Sequence, residues 1–242
     1  MIAGPILEVC VDSPDGLAAA ISSGAGRIEL CSALPLGGLT PGAGLMKAAR
    51  QSGVPCHAMI RPRPGDFCLR DGDMDAMLAD IAATHAAGLA GVVIGVGRVD
   101  GALDDDAMRR LVAAAAPLDV TLHRLIDLAP DPMRMIDQAV GLGMTRILTS
   151  GQASVAPDGI AMLQKMVTHA DGRIEIMAGG GVTPAAAPAL LATGVDALHG
   201  SFSTPDPADT DCGHIGIEMR RVTSAAQVRA MRAAMTQEAI CA

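Results

Sequence analysis

Eight short, β-branched runs recur about every 30 residues along a chain of 242 residues, and each is followed by a stretch that reads as helix. The predicted strands are 7–11, 28–31, 56–60, 92–96, 120–122, 147–149, 174–177 and 197–199. Parallel neighbours need a crossover between them, and a helix supplies it. Most of these runs are too apolar to face water, as expected for strands covered on both sides. The expected fold is therefore α/β, a single-domain (β/α)8 TIM barrel spanning 1–242, with an open doubly wound sheet as the other arrangement.

The punctuation between strands agrees. A capping residue followed by proline recurs at Ser13-Pro14, Thr40-Pro41, Asp131-Pro132 and Thr183-Pro184, where the cap oxygen takes a free N–H and proline has none to leave unpaired. Gly24, Gly53, Gly88, Gly143, Gly172 and Gly194 fall where helices should stop. Phe67 and Phe202 are the only aromatics, so the core must be filled by aliphatic residues and methionine. The pairs Met74/Met77, Met162/Met166 and Met231/Met235 then read as gap-filling core rather than thioether ligands.

A net charge of −8 and no basic run argue against nucleic acid and against an anionic membrane surface. The first residues, Met1-Ile2-Ala3-Gly4-Pro5, carry no leader pattern, and no apolar stretch reaches membrane-spanning length. A soluble, cytoplasmic protein is expected. Its cysteines at 10, 31, 56, 68, 212 and 241 show neither CxxC nor zinc-type spacing and are expected to be free thiols.

In a barrel of this kind, functional groups belong at the C-terminal strand ends and in the loops beyond them. Strand alternation puts Glu8 and Cys10 on one face of the first strand, and Glu29 and Cys31 on one face of the second. Level pairing of those strands would set the two sulfurs about 5 Å apart. The third strand offers His57, Met59 and Arg61, with Arg63 beyond. The fifth offers His123 and Asp127, the sixth Ser150, the seventh Gly179, Gly180 and Gly181, and the eighth His199 and Ser201. The loop 64–72 is placed to cover the mouth. His85, His169 and His214 should be solvated.

Two functions fit this rim. In the first, Cys10 and Cys31 bind Cu(I), because paired thiolates select a soft ion over Mg²⁺ or Ca²⁺, although Glu8 and Glu29 beside them are hard donors. In the second, the protein is an enzyme acting on a small anionic, phosphorylated or sugar-like metabolite. Glu8, Glu29, His123 and Asp127 then form the acid–base set, and Arg61 stabilises charge. Arg63, Ser150, His199, Ser201 and the triple glycine bind the ligand, the glycines as an anion cradle before a helix start. A structural role competes for Arg61, as partner of Glu8 or Glu29, and for His123 and His199, as hydrogen-bonded core residues.

Several stretches are long and idiosyncratic. Leu7-Glu8-Val9-Cys10-Val11-Asp12-Ser13, Arg27-Ile28-Glu29-Leu30-Cys31-Ser32, Met59-Ile60-Arg61-Pro62-Arg63 and Ile176-Met177-Ala178-Gly179-Gly180-Gly181-Val182 resemble the CutC family of copper homeostasis proteins. So do Gly37-Gly38-Leu39-Thr40-Pro41, Gly65-Asp66-Phe67, Val93-Ile94-Gly95, Val120-Thr121-Leu122-His123-Arg124 and Arg146-Ile147-Leu148-Thr149-Ser150-Gly151. The resemblance implies a cytoplasmic TIM barrel, a homo-oligomer (dimer or tetramer), linked to copper tolerance, with Cu(I) on Cys10 and Cys31. Where the family commonly reads His-Arg-Ala-Phe-Asp, this chain has His123-Arg124-Leu125-Ile126-Asp127, so the polar members are kept and the ring is not.

Overall fold

A computed structural model of the protein describes residues 4–209 and 220–237; Cys212, His214 and Cys241 lie outside the described residues. Eight parallel strands close into a barrel in sequence order: β1 Ile6–Val11, β2 Arg27–Leu30, β3 Cys56–Met59, β4 Gly91–Ile94, β5 Asp119–Leu122, β6 Arg146–Thr149, β7 Glu175–Gly179 and β8 Ala197–Gly200. Helices follow each strand: α1 Pro14–Ser22, α2 Ala43–Arg50, α3 Asp73–Ala87, α4 Asp105–Ala115, α5 Pro132–Gly141, α6 Ile160–Ala170, α7 Ala187–Leu191 and α8 Ala225–Gln237. Between β8 and α8 an antiparallel pair, β9 Ser203–Pro205 and β10 Arg221–Thr223, extends one side of the mouth. No helix among the described residues is long and apolar enough to cross a membrane.

The main core lies between strands and helices. The outward-facing Leu7, Val9, Ile28, Leu30, Val92, Ile94, Ile147 and Ile176 pack there against Met46, Met77, Met108, Met166 and Met231, which supply the volume that aromatic side chains usually fill. The inner face is different: two small apolar plates, Cys31–Met59–Val93 and Leu148–Met177–Ala197, are set among buried charged residues.

Two of the four predicted helix starts differ. Ser13 and Asp131 cap α1 and α5, accepting from Gly16 N and Arg134 N. Thr40 instead accepts from the Arg61 backbone N–H, so α2 begins at Ala43. Thr183 accepts from Ala186 N in a turn, and α7, a helix of only five residues, starts at Ala187. The triple glycine therefore does not lead directly into a helix N-terminus.

Candidate functional site

The deepest inward layer is ionic. Arg27 pairs with Glu8 and reaches Glu175 at 3.8 Å, while Arg146 bonds Glu175 at 2.5 Å, Thr121 at 3.1 Å and the His57 Nδ1 at 3.5 Å. Both arginines are 3% exposed. Taking two guanidinium groups out of water requires such partners. The predicted strands began at Ile28 and Ile147, one residue too late to bring Arg27 and Arg146 inside. An arginine immediately before an apolar strand run, facing a glutamate at the same level of a neighbouring strand, is the signal that would have found them.

Above this layer sits a carboxylate–imidazole–carboxylate chain. The register pairs Glu8 with His199 across β1 and β8, and Cys10 with Glu29 across β1 and β2. His199 Nδ1 lies 2.8 Å from Glu8 Oε1, and its Nε2 lies 3.6 Å from Glu29 Oε2. Cys31 Sγ contacts the same Glu29 oxygen at 3.5 Å. Ligand atoms of Cys10, Glu29 and His199 all fall within 4.8 Å of one another. The two sulfurs are thus not level, because β2 is offset so that Glu29 stands opposite Cys10 and Cys31 is one step further out.

Electrostatics follow from burial and these pairs. Burial acts to raise the Glu8 pKa, but the His199 hydrogen bond and the Arg27 charge hold it well below the usual carboxylate range. For His199, burial opposes the charged ring, yet Cys10, Glu29 and the Glu8 bond outweigh it and hold the pKa well above the ordinary value. Burial raises both thiols, Cys31 further because Glu29 adds to it, and burial also raises Glu29. Burial and these pairs thus favour an ionised Glu8 facing a charged His199 ring.

The mouth is a cavity of about 1030 Å³ lined by Cys10, Glu29, Met59, Arg61, Phe67, His123, Arg124, Asp127, Gly180, Gly181, His199 and Ser201, among others. Arg61 does not neutralise Glu8 or Glu29. Its guanidinium donates to the carbonyls of Leu36 and Gly38 at 3.0 Å and of Gly65 at 2.9 Å, tying the loop after β2 to the loop after β3. Asp127 accepts from Arg124 Nε, Thr149 Oγ1, Ser150 N and Gln152 N. Its oxygens hold the start of the loop after β6 as well as Arg124.

Three predicted ligand residues stand back from the cavity. Arg63 bonds Asp73 at 2.9 Å, Asp66 at 3.2 Å and the Cys68 carbonyl, so it staples the loop expected to act as a lid. Ser150 is fully buried and accepts from Arg124 Nη2 at 2.7 Å. Gly179 packs under Leu148 and His199. Gly180 has φ +95°, and a Cβ there would come within 3.0 Å of Arg124 Nη1, so the left-handed glycine admits the guanidinium where an anion cradle was expected. Gly95 makes room in the same way for His123, whose ring would lie 2.4 Å from an added Cβ.

His123 is 4% exposed. Its Nδ1 accepts from Leu125 N at 3.2 Å, which places the proton on Nε2. His85 and His169 are half-buried on α3 and α6, and His169 pairs with Asp137.

Burial drives the pKa of His57 down to about 4 and that of His123 down to about 3, with the Arg61 charge assisting at His123. Both rings are neutral when folded but bind protons in the unfolded chain below about pH 6.5, so between those values the unfolded state holds more protons and stability falls as pH falls. His199 stays protonated in both states below pH 6.5 and does not offset the loss. Each buried ring is expected to cost about 1–2 kcal/mol between pH 6.5 and pH 5. Urea unfolding at the two pH values checks this, and His57→Gln should remove about half of the slope.

The CutC family profile matches residues 5–204, ending just past β8 and inside β9. A CutC family protein of Sinorhizobium medicae is 50% identical over 235 residues, covering 95% of this chain and 96% of its own length. One of Rhizobium meliloti is 48% identical over 232 residues, with 94% of each chain covered. The crystal structure of CutC from Streptococcus agalactiae, which carries a provisional copper-homeostasis name, superposes with a TM-score of 0.78 at 33% identity and covers 81% of this chain and 98% of that one. With the profile spanning the whole barrel and relatives matching nearly end to end, this chain belongs to the CutC family.

Proposed function

We propose that this protein handles copper in homeostasis, taking Cu(I) as cargo at the barrel mouth through Cys10 and Cys31, with His199 Nε2 as a third donor. The observation that carries this reading is the Glu8 carboxylate on His199 Nδ1. A metal-binding histidine characteristically gives its other ring nitrogen to a carboxylate, which fixes the tautomer and leaves the second nitrogen for the ion. Here that second nitrogen points at Glu29 and shares a cluster with Cys10.

The donor set suits the ion. Two sulfurs and an imidazole favour Cu(I), whereas Mg²⁺ and Ca²⁺ require oxygen ligands. Both thiols are held protonated by burial and the His199 ring is held in its charged form, so loading must release the His199 Nε2 proton as well as the thiol protons, and Glu29, whose Oε1 is buried without a partner, is placed to receive one. The copper-homeostasis name of the Streptococcus agalactiae relative supports the same reading.

Anaerobic titration of Cu(I) held by a chromophoric chelator tests it. The protein is expected to withdraw one equivalent of copper per chain and to keep it against equimolar Zn²⁺. Failure to draw copper from the chelator, or its displacement by zinc, would overturn the proposal.

A further inference from the structure

Among the described residues, the buried side-chain polar atoms Glu29 Oε1, Arg61 Nε and His123 Nε2 have no hydrogen-bond partner, whereas His169 Nε2 faces Asp137 at 3.0 Å. The first three belong to residues that line the barrel-mouth cavity. An unpaired buried polar atom costs about 1–3 kcal/mol, and two unpaired donors, Arg61 Nε and His123 Nε2, on residues of one cavity wall are an arrangement that an acceptor ligand would relieve.

The geometry points to a second occupant of the mouth, a small organic carboxylate whose oxygens accept from Arg61 Nε–H and His123 Nε2–H. Both atoms are donors. Arg61 carries a fixed positive charge, and the Leu125 N–H on Nδ1 puts the His123 proton on Nε2. They flank one ring: Phe67 lies 4.3 Å from the His123 ring, centroid to centroid, and 5.2 Å from the Arg61 guanidinium carbon. The stack against Phe67 holds both groups in place. A site that binds small molecules usually joins such apolar walls to a few fixed polar groups.

Charge selects a monoanion. Arg124 is matched by Asp127 and Arg220 by Asp206. Arg61 has carbonyl partners alone and Arg221 bonds only Ser203, while Asp12 lines the same cavity with the Leu34 N–H as its partner, so among the described residues two unmatched positive charges face one unmatched negative one and a single positive charge is left over. One carboxylate matches it. A phosphate dianion would leave one negative charge unmatched. At about 1030 Å³ the cavity has room for more than the carboxylate, and Asp12, Ser13 and Ser201 offer partners for hydroxyl groups, so the class is hydroxy acids up to sugar-acid size.

This site uses neither Cys10 nor Cys31 and does not rest on the copper proposal. It is tested on metal-free protein in the presence of a chelator, so a failed copper titration leaves its outcome untouched. Calorimetric titration is run with glycolate, gluconate and inorganic phosphate. The carboxylates are expected to saturate at about 1 mM or tighter and to displace the His123 Nε2–H signal in the ¹⁵N-histidine spectrum of the wild-type protein. Arg61→Met and His123→Phe, checked for folding by circular dichroism, are each expected to weaken binding about tenfold or more. The assignment is overturned if neither carboxylate saturates by about 50 mM, if phosphate binds more tightly than both, or if a bound carboxylate leaves the His123 signal unmoved.

Discussion

Arg27→Leu is expected to destabilise the protein by about 3–5 kcal/mol, the usual consequence of removing one member of a buried ion pair. Arg27 and Glu8 are 3% and 1% exposed. Leucine would leave the Glu8 charge buried with His199 as its remaining partner, and would also withdraw the contact from Arg27 to Met177 Sδ. Against a typical total of about 5–15 kcal/mol, that loss is a large share of the whole. Urea unfolding followed by circular dichroism measures it. The double variant Glu8→Gln/Arg27→Leu should recover about 1 kcal/mol or more, because it removes the unpaired charge along with its partner. A cost below about 1 kcal/mol for the single change would mean that Glu8 is not held by Arg27.

The second large effect is on copper. Cys10→Ser and Cys31→Ser are each expected to lower Cu(I) affinity about 100-fold or more, equivalent to about 3 kcal/mol. A carboxylate behind a ligand already accounts for about 10–100-fold in metal affinity, and loss of a ligand itself should exceed that. Serine is close to isosteric with cysteine but offers a hard oxygen. Glu8→Gln, which keeps the contact to His199 but not the charge, is expected to fall in the lower, 10–100-fold range. Cys31 also packs with Met59 and Val93, so its alternative role is that of a small buried hydrophobe. If both serine variants compete for copper as well as the wild type does, that packing role is the whole of it and the copper site lies elsewhere.

The eight strands were legible because they are compact apolar runs, most of them followed by a glycine or a proline-marked turn, and the observed strands match the expected ones to within two residues at either end. The rim residues followed from alternation alone: Glu8, Cys10, Glu29, Arg61, His123 and His199 all point inward, as period-two patterning requires. What alternation cannot supply is the offset between neighbouring strands. Cys10 stands opposite Glu29, so the sulfurs are staggered rather than level.

Partners distant in sequence were equally hidden. Arg27, not Arg61, neutralises Glu8, and His199 reaches Glu8 across 191 positions, because barrel closure joins the first strand to the last. Thr40 and Thr183 carried the local signature of helix caps, but Thr40 was drawn to the Arg61 backbone. A long-range hydrogen bond there outweighed a local preference.

The most direct test of the copper reading is X-ray absorption at the copper edge on anaerobically loaded wild-type protein. Cu(I) bound by two sulfurs and one imidazole nitrogen is the predicted result. A copper shell of nitrogen and oxygen alone, or one with a single sulfur, would contradict it.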